Sequence, residues 1–446
     1  MLYGSIHLIR GSSMEYWQPK IETMKRAQLE ELQLQRLKKT INAVYKNVQF
    51  YRAKFKEMGI QPSDIKTLDD VRKLPFTNKS DLRDNYPFGL FAVPMKKVAR
   101  IHASSGTSGK STVVGYTRKD LETWANLMAR CFYMVGVRPG DVFQNAANYG
   151  LFTGGLGIHA GAERLGCTVV PSGTGSTQKQ IEMIRDFGVT VMHATPSYAL
   201  YIAETAKKMG IEPGSLPLRI GVFGAEPWSA NTRKELEKSF GIKAYDSYGL
   251  SEMMGPGVAF ECTEQDGLHI WEDAFIVEVL DRNGEPCAPG EKGELVLTTL
   301  CKEALPLLRY RTGDITTFMD GECACGRTAR KITKFFGRAD DMLIIRGINV
   351  FPSQIEHVLM EMPEVGEYFQ VVLERVNHLD EITVKVEMSD RAFSGELGDL
   401  KKITNTVAKR LKDTLNLRTN VVLVEKGSLP RVEGKSKKVI DLRTSI

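Results

Sequence analysis

The chain has 446 residues, 42% of them hydrophobic and 26% charged, with a formal net charge of +6 at pH 7. That length suggests two or three domains rather than one core, the composition is that of an ordinary globular protein, and the small positive charge suits anionic small ligands without marking a nucleic-acid binder. No apolar stretch approaches the roughly 18 residues that span a bilayer, and seven cysteines, an odd number in a large chain, suit a reducing cytoplasm better than a disulfide framework.

The opening MLYGSIHLIRGSS lacks the apolar core and cleavage site of a secretory signal and is read as the product of an upstream start, with Met14 the natural first residue. From residue 14 to 60, apolar residues recur at three and four, as in MKRAQLEELQLQRLKKTINAVYKNV, which predicts helix. SSGTSGKST, residues 104–112, has the composition of a loop that holds nucleotide phosphates. A P-loop needs glycine at its first position and a helix directly behind its lysine. Here Ser104 stands at that position, and STVVGYT, residues 111–117, reads as a strand.

Between residues 142 and 300, strand candidates such as VTVMHA and LRIGVFGA alternate with helical segments such as ANTRKELEKSF, the pattern of α/β layers on a largely parallel sheet. GAEPW, residues 224–228, closes one such strand, so Gly224 and Ala225 bring backbone close to whatever binds at the strand's carboxyl end. DSYGLSE, residues 246–252, combines a ring able to stack on a base, a flexible glycine, a hydroxyl and an acid able to hold Mg²⁺. YRTGD, residues 310–314, places a carboxylate after a tight turn, where it can accept from two ribose hydroxyls.

Cys262, His269, Cys323 and Cys325 occupy two polar, turn-like stretches, ECTEQDGLH and GECACGR. Three thiolates and an imidazole make a closed tetrahedral set for a structural zinc ion, which has no open position for catalysis. Cys131, Cys167, Cys287 and Cys301 have no partner pattern and are expected to pack. His102, His159 and His193 flank apolar segments and are read as structural, with His193 nearest the cleft. After GRADD, residues 337–341, the pattern shortens to strand, helix, strand, a basic helix and a strand, an α+β unit ending in a Gly/Lys-rich tail.

In this order and spacing, SSGTSGK, GAEP, YGLSE, YRTGD, GRADD and LPRVEGK resemble the adenylate-forming superfamily of acyl-CoA synthetases. EYWQPKIE, ASSGTSGKSTVVGYT, HATPSYAL, GLHIWEDAFIVEVLD and LPRVEGKSKKVIDLR look, more narrowly, like the phenylacetate-CoA ligases. The resemblance covers nearly the whole chain from Met14. It implies a large α/β adenylation domain over residues 14–336 with layered sheets and helices, a hinge at 337–342, and a small mobile α+β domain over 343–446.

The implied reaction joins an aryl acid, phenylacetate or a close relative, to coenzyme A through an acyl adenylate, with ATP and Mg²⁺ as further requirements. Ser104, Ser105, Gly106, Thr107, Ser108, Gly109 and Lys110 are expected on the β- and γ-phosphates, Mg²⁺ on Glu252 and Ser251 near the α-phosphate. Gly224, Ala225, Glu226 and Pro227 border the adenine, Asp246, Ser247, Tyr248 and Gly249 receive it, Asp314 fixes the ribose and Arg338 completes the nucleotide contacts. Lys435 is the expected adenylation lysine. Asp340 is the expected hinge, which swings Lys435 away and brings RGINV, residues 346–350, to the CoA channel.

Tyr149, Phe152, Gly155 and Ala225 are expected to line the acyl pocket. The implied partners are the small-molecule substrates, without nucleic acid or membrane, and the resemblance allows a homodimer in the cytoplasm. The alternatives are an adenylating enzyme for another aryl acid or acceptor, a P-loop hydrolase, and a zinc-stabilised binding protein that has lost its chemistry. Glu252, Asp314 and Lys435 together argue against the last.

Overall fold

The periodicity near the N-terminus becomes the helix Arg26–Asn47, which turns Leu29, Gln33, Leu37, Ile41 and Val44 inward. Gln33, the polar member of that stripe, is satisfied by the carbonyl of Glu272 at 2.8 Å. The structure, a computed structural model, describes residues 15–103, 111–338, 343–345, 348–376, 379–389, 397–415, 417–430 and 438–443.

A nine-stranded sheet forms the centre of the large part of the chain. Thr168–Val170, Val142–Asn145, Val191–Ala194, Ile220–Gly224 and Lys243–Leu250 lie parallel in that spatial order. The helices Thr153–Leu165, Thr177–Asp186, Pro196–Lys208 and Ala230–Phe240 connect them, so the alternation read from the sequence is that of a parallel sheet. Beyond residue 250 the sheet turns antiparallel through Gly255–Glu261, Leu268–Ile270, Lys331–Ile332 and Phe318–Met319. Residues 251–254 are too few for a crossover, so the strand after them must return alongside its neighbour. A second, antiparallel sheet holds Phe275–Leu280, Gly293–Thr299, Tyr310–Thr316 and Gly337–Arg338. The hairpin Val98–Ala103 with Val113–Thr117 brackets residues 104–110, so strand, loop, strand is the context of that loop.

The small unit has its own core, from Leu343 and Ile345 to Leu415 and Leu417, while the two other core clusters end at Ile332. Its four-stranded sheet pairs Val365–Val376 with Leu379–Met388 antiparallel and carries parallel edges Asn420–Val424 and Val439–Asp441. The helices Pro352–Met360 and Leu397–Leu415 complete it. Val365–Val376 and Val439–Asp441 exceed the strands expected. The first buries Val365, Phe369, Val371 and Leu373 on one face, a period of two that its Glu, Gln and Arg residues interrupt. The second lies in the basic tail and gains its partners only by pairing with residues 371–373.

Candidate active site

The carboxyl ends of the parallel strands are the place where open α/β sheets bind ligands. Gly224 ends its strand so close to the next that a Cβ there would lie 2.3 Å from the carbonyl oxygen of Ser247. Ala225 follows with φ of 67°, a left-handed conformation uncommon outside glycine, which sets the exposed backbone of residues 225–227 across the strand end. The Glu226 carboxylate accepts a 2.8 Å hydrogen bond from the Ser197 amide in the first turn of the helix Pro196–Lys208, a favourable place for negative charge. Glu226 therefore ties this loop to its neighbour while Ala225 and Pro227 remain exposed.

Asp246, Ser247, Tyr248 and Gly249 lie in the adjacent strand. The Asp246 carboxylate lies 3.7 Å from the Lys334 ammonium, and its amide donates to Glu261 at 2.8 Å. Glu261 is wholly buried, paired with Arg233 at 2.6 Å, and burial raises its carboxyl above the usual range. Tyr248 packs on Phe335, with ring centres 4.1 Å apart, and donates its hydroxyl proton to Asp314 at 2.6 Å. The backbone of Arg338 pairs directly with that of Asp314. Residues 248, 314 and 338, far apart in the chain, thus meet at one point.

Ser251 and Glu252 occupy the buried turn after this strand. The Ser251 hydroxyl lies 2.9 Å from that of Thr153, joining the turn to the start of the helix Thr153–Leu165. No described residue donates a hydrogen bond to the Glu252 carboxylate. A largely buried residue whose carboxylate keeps an open face suits a hard cation. Lys302 approaches the same turn, its ammonium 2.6 Å from the carbonyl of Met253 and 3.2 Å from that of Glu252. Burial lowers its pKa to about 7, against the pull of Asp120 and Glu252.

The expected acyl pocket contains a polar chain. Asn145 ends its strand and donates to the Tyr149 hydroxyl at 2.9 Å and to the Gly155 carbonyl at 2.8 Å. Its oxygen lies 2.9 Å from Nδ1 of His193; with the amide protons already committed, Nδ1 is the donor. Burial holds His193 neutral, with a pKa near 4. The Tyr149 hydroxyl also lies 3.1 Å from Nδ1 of His159. A Cβ at Gly155 would lie 2.3 Å from the carbonyl oxygen of Asn148, so only glycine admits this approach of helix and loop. Phe152 is exposed at the helix start. Asn145 was absent from the expected set; its signal is a polar residue closing the apolar strand VFQN. Lys302 was absent too, since no motif surrounds it.

Cys262, His269, Cys323 and Cys325 converge as expected, with their ligand atoms within 4.8 Å of one another and all four residues buried. Sγ of Cys262 and Cys323 are 3.6 Å apart, and Sγ of Cys325 lies 3.3 Å from Nε2 of His269. A tetrahedral ion with zinc–sulfur bonds of about 2.3 Å has sulfur–sulfur edges of about 3.8 Å, which fits this spacing. His269 Nδ1 lies 3.0 Å from the Ala329 carbonyl, the contact that turns Nε2 toward the thiols. The other four cysteines are free, and Cys131 is buried against the Trp271 indole, which donates to it at 3.3 Å. The expectations for Ser104, Ser105, Gly106, Thr107, Ser108, Gly109, Lys110, Asp340 and Lys435 lie outside the described residues, as does the Arg338 side chain.

Residues 27–300 match the family of AMP-binding enzymes, and residues 347–443 match the AMP-binding enzyme C-terminal domain. The chain is 48% identical to the phenylacetate-coenzyme A ligase of Thermus thermophilus over 96% of its own length and 99% of that protein. It is 49% identical to the Escherichia coli enzyme of that name, over 96% of this chain and 98% of the relative. In fold it resembles 2-hydroxyisobutyryl-CoA ligase in the postadenylation state, with a TM-score of 0.91 at 31% identity over 99% of this chain and 95% of the other. Against that ligase in the thioesterification state, with the same coverage and 32% identity, the TM-score is 0.72.

Proposed function

The chain belongs to the AMP-binding enzymes and, within them, to the phenylacetate-coenzyme A ligases, and from that premise we propose that it joins phenylacetate to coenzyme A. The reaction is an ATP-dependent acid–thiol ligation. A carboxylate oxygen attacks the α-phosphorus of ATP and pyrophosphate leaves; the CoA sulfur then bonds to the acyl carbon, its proton passes to solvent, and AMP leaves.

The observation that carries the assignment of residues is that Tyr248 bonds Asp314 beside the paired strand ends Gly224 and Ser247, which Ala225 and the turn of Glu252 follow. Asp314, oriented by Tyr248, accepts from the ribose hydroxyls. Gly224, Ala225, Glu226 and Pro227 frame one side of the adenine, and Asp246, Ser247, Tyr248 and Gly249 the other, with Arg338 beside Asp314. Glu252 would hold Mg²⁺, which neutralises charge between phosphate oxygens when bound, and Ser251 lies toward the α-phosphate. Residues 104–110 and Lys435 take the phosphate and carboxylate roles on the strength of their motifs. Tyr149, Phe152, Gly155 and Ala225 line the acyl side, where Asn145 and His159 satisfy the Tyr149 hydroxyl and leave its ring to face the substrate.

The higher likeness to a postadenylation than to a thioesterification state supports a large domain over 14–336 and a small one over 343–446 that turn about residues 337–342. Asn231 donates to the Met360 carbonyl at 2.8 Å across their contact. Burial raises the Glu356 carboxyl, and the charge of Glu226 acts in the same direction against Lys438; the Asn231–Met360 bond and the approach of Glu226 to Glu356 are lost when the small domain swings, while the Glu356–Lys438 pair moves with it. The cysteine–histidine cluster holds a structural zinc ion. No described helix is long and apolar enough to cross a membrane, and seven cysteines without a disulfide among them suit a cytoplasmic site.

ATP–pyrophosphate exchange with a panel of aryl acids, followed by CoA addition, tests the function. Phenylacetate should support exchange best and CoA should convert the adenylate to thioester. Exchange with another acid alone would transfer the assignment to that acid.

A further inference from the structure

The turn 251–254 is held by all four of its carbonyls. The Tyr116 hydroxyl lies 3.3 Å from the carbonyl oxygens of both Ser251 and Met254, and Lys302 takes those of Glu252 and Met253. The two side chains also meet each other, with the Lys302 ammonium 4.5 Å from the centre of the Tyr116 ring, within range of cation–π attraction. Tyr116 belongs to the strand Val113–Thr117, which leads out of the Ser/Thr/Gly-rich loop.

The residues around Lys302 are fixed in turn. The amides of Glu303 and Ala304 donate to the Asp120 carboxylate at 2.6 and 2.9 Å, and Asp120 also accepts from the Thr117 amide at 2.8 Å. Strand exit, helix start and turn therefore form one hydrogen-bonded unit with Lys302 inside it, 3% exposed. Burying an ammonium is costly, and a methionine would fill similar space without that cost. What methionine lacks is a donor to two adjacent carbonyls behind a metal-binding acid.

Resting on the reading that Glu252 holds the magnesium of MgATP, we propose that Lys302 is a positioning residue for adenylation, clamping the turn 251–254 with Tyr116 so that Glu252 and Ser251 keep their place at the end of the strand Lys243–Leu250. Residues behind metal ligands commonly set affinity by orientation alone.

The test uses Lys302→Met in the full chain, with three readouts. These are calorimetric ATP affinity with Mg²⁺ and with EDTA, the Mg²⁺ dependence of phenylacetate-supported exchange, and thioester formation from synthetic phenylacetyl adenylate and CoA. The Mg²⁺ needed for half-maximal exchange should rise roughly tenfold and the Mg²⁺-dependent gain in ATP affinity should shrink, while metal-free ATP binding and thioester formation change by less than about twofold. An unchanged Mg²⁺ dependence, or a parallel fall of both half-reactions, overturns the proposal. If Lys302→Met does not fold, Tyr116→Phe, which keeps the ring and loses the hydroxyl, carries the same expectation and the same refutation. Glu252→Gln is the control: if it leaves the Mg²⁺ dependence untouched, the reading of Glu252 falls, and this inference with it.

Discussion

The Tyr248 hydroxyl and the Asp314 carboxylate are joined by a 2.6 Å hydrogen bond across 66 residues of sequence. The bond links the central sheet to the second one and orients the Asp314 carboxylate. Tyr248→Phe keeps the ring on Phe335 but removes the tyrosine donor from Asp314. A lost hydrogen bond to a charged group is worth about 1.5–3 kcal/mol, divided between the fold and ligand binding, so the melting temperature should fall by a few degrees and the apparent ATP affinity in pyrophosphate exchange by up to roughly tenfold. An unaltered ATP dependence would separate Asp314 from ribose binding.

Lys435→Ala separates the two half-reactions. Loss of a positioned charge in the first transition state should lower phenylacetate-dependent exchange by about 10²–10³. Thioester formation from supplied phenylacetyl adenylate should survive, because the adenylation step is bypassed. Equal loss in both assays would contradict the role.

Metal analysis of the purified protein should find one zinc per chain, and Cys323→Ser should abolish it. Because all four ligands would be consumed in a closed site, the variant should melt at a lower temperature while any folded fraction keeps its ATP affinity. A full-strength melting transition in metal-free protein would count against a structural ion.

His193 makes stability fall in acid. Its pKa is about 4 in the fold against 6.5 for the ordinary group, so between those values the unfolded chain binds the extra proton. The contribution is whole above pH 6.5 and declines as pH falls toward 4, to a limit of about 3 kcal/mol. His193→Asn, which removes the titrating ring, should show a shallower decline of unfolding free energy across that window; identical slopes would show that another group governs it.

Much of this protein was legible in its residues because the chemistry depends on short local motifs. GAEPW after an apolar strand and YGLSE before a turn carry their own backbone requirements, and the Cys and His residues already defined a ligand set; YRTGD, expected at a tight turn, instead runs within the strand Tyr310–Thr316, whose pairing with Gly293–Thr299 shifts register there. Asn145 and Lys302 were not legible. One is a lone amide whose partner His193 lies 48 residues away, and the other a lone lysine between strands whose partners in the turn lie 49 and 50 residues away.

The sequence alone determined the family, the order of the nucleotide motifs and the identity of the metal-type cluster, since each depends on residue type and spacing. Only the tertiary structure decided that Tyr248 orients Asp314, that the sheet turns antiparallel after residue 250, and that Tyr116 and Lys302 hold the turn behind Glu252. Those facts depend on which distant groups share a buried volume, where each polar atom must find a partner, and no local pattern encodes that pairing.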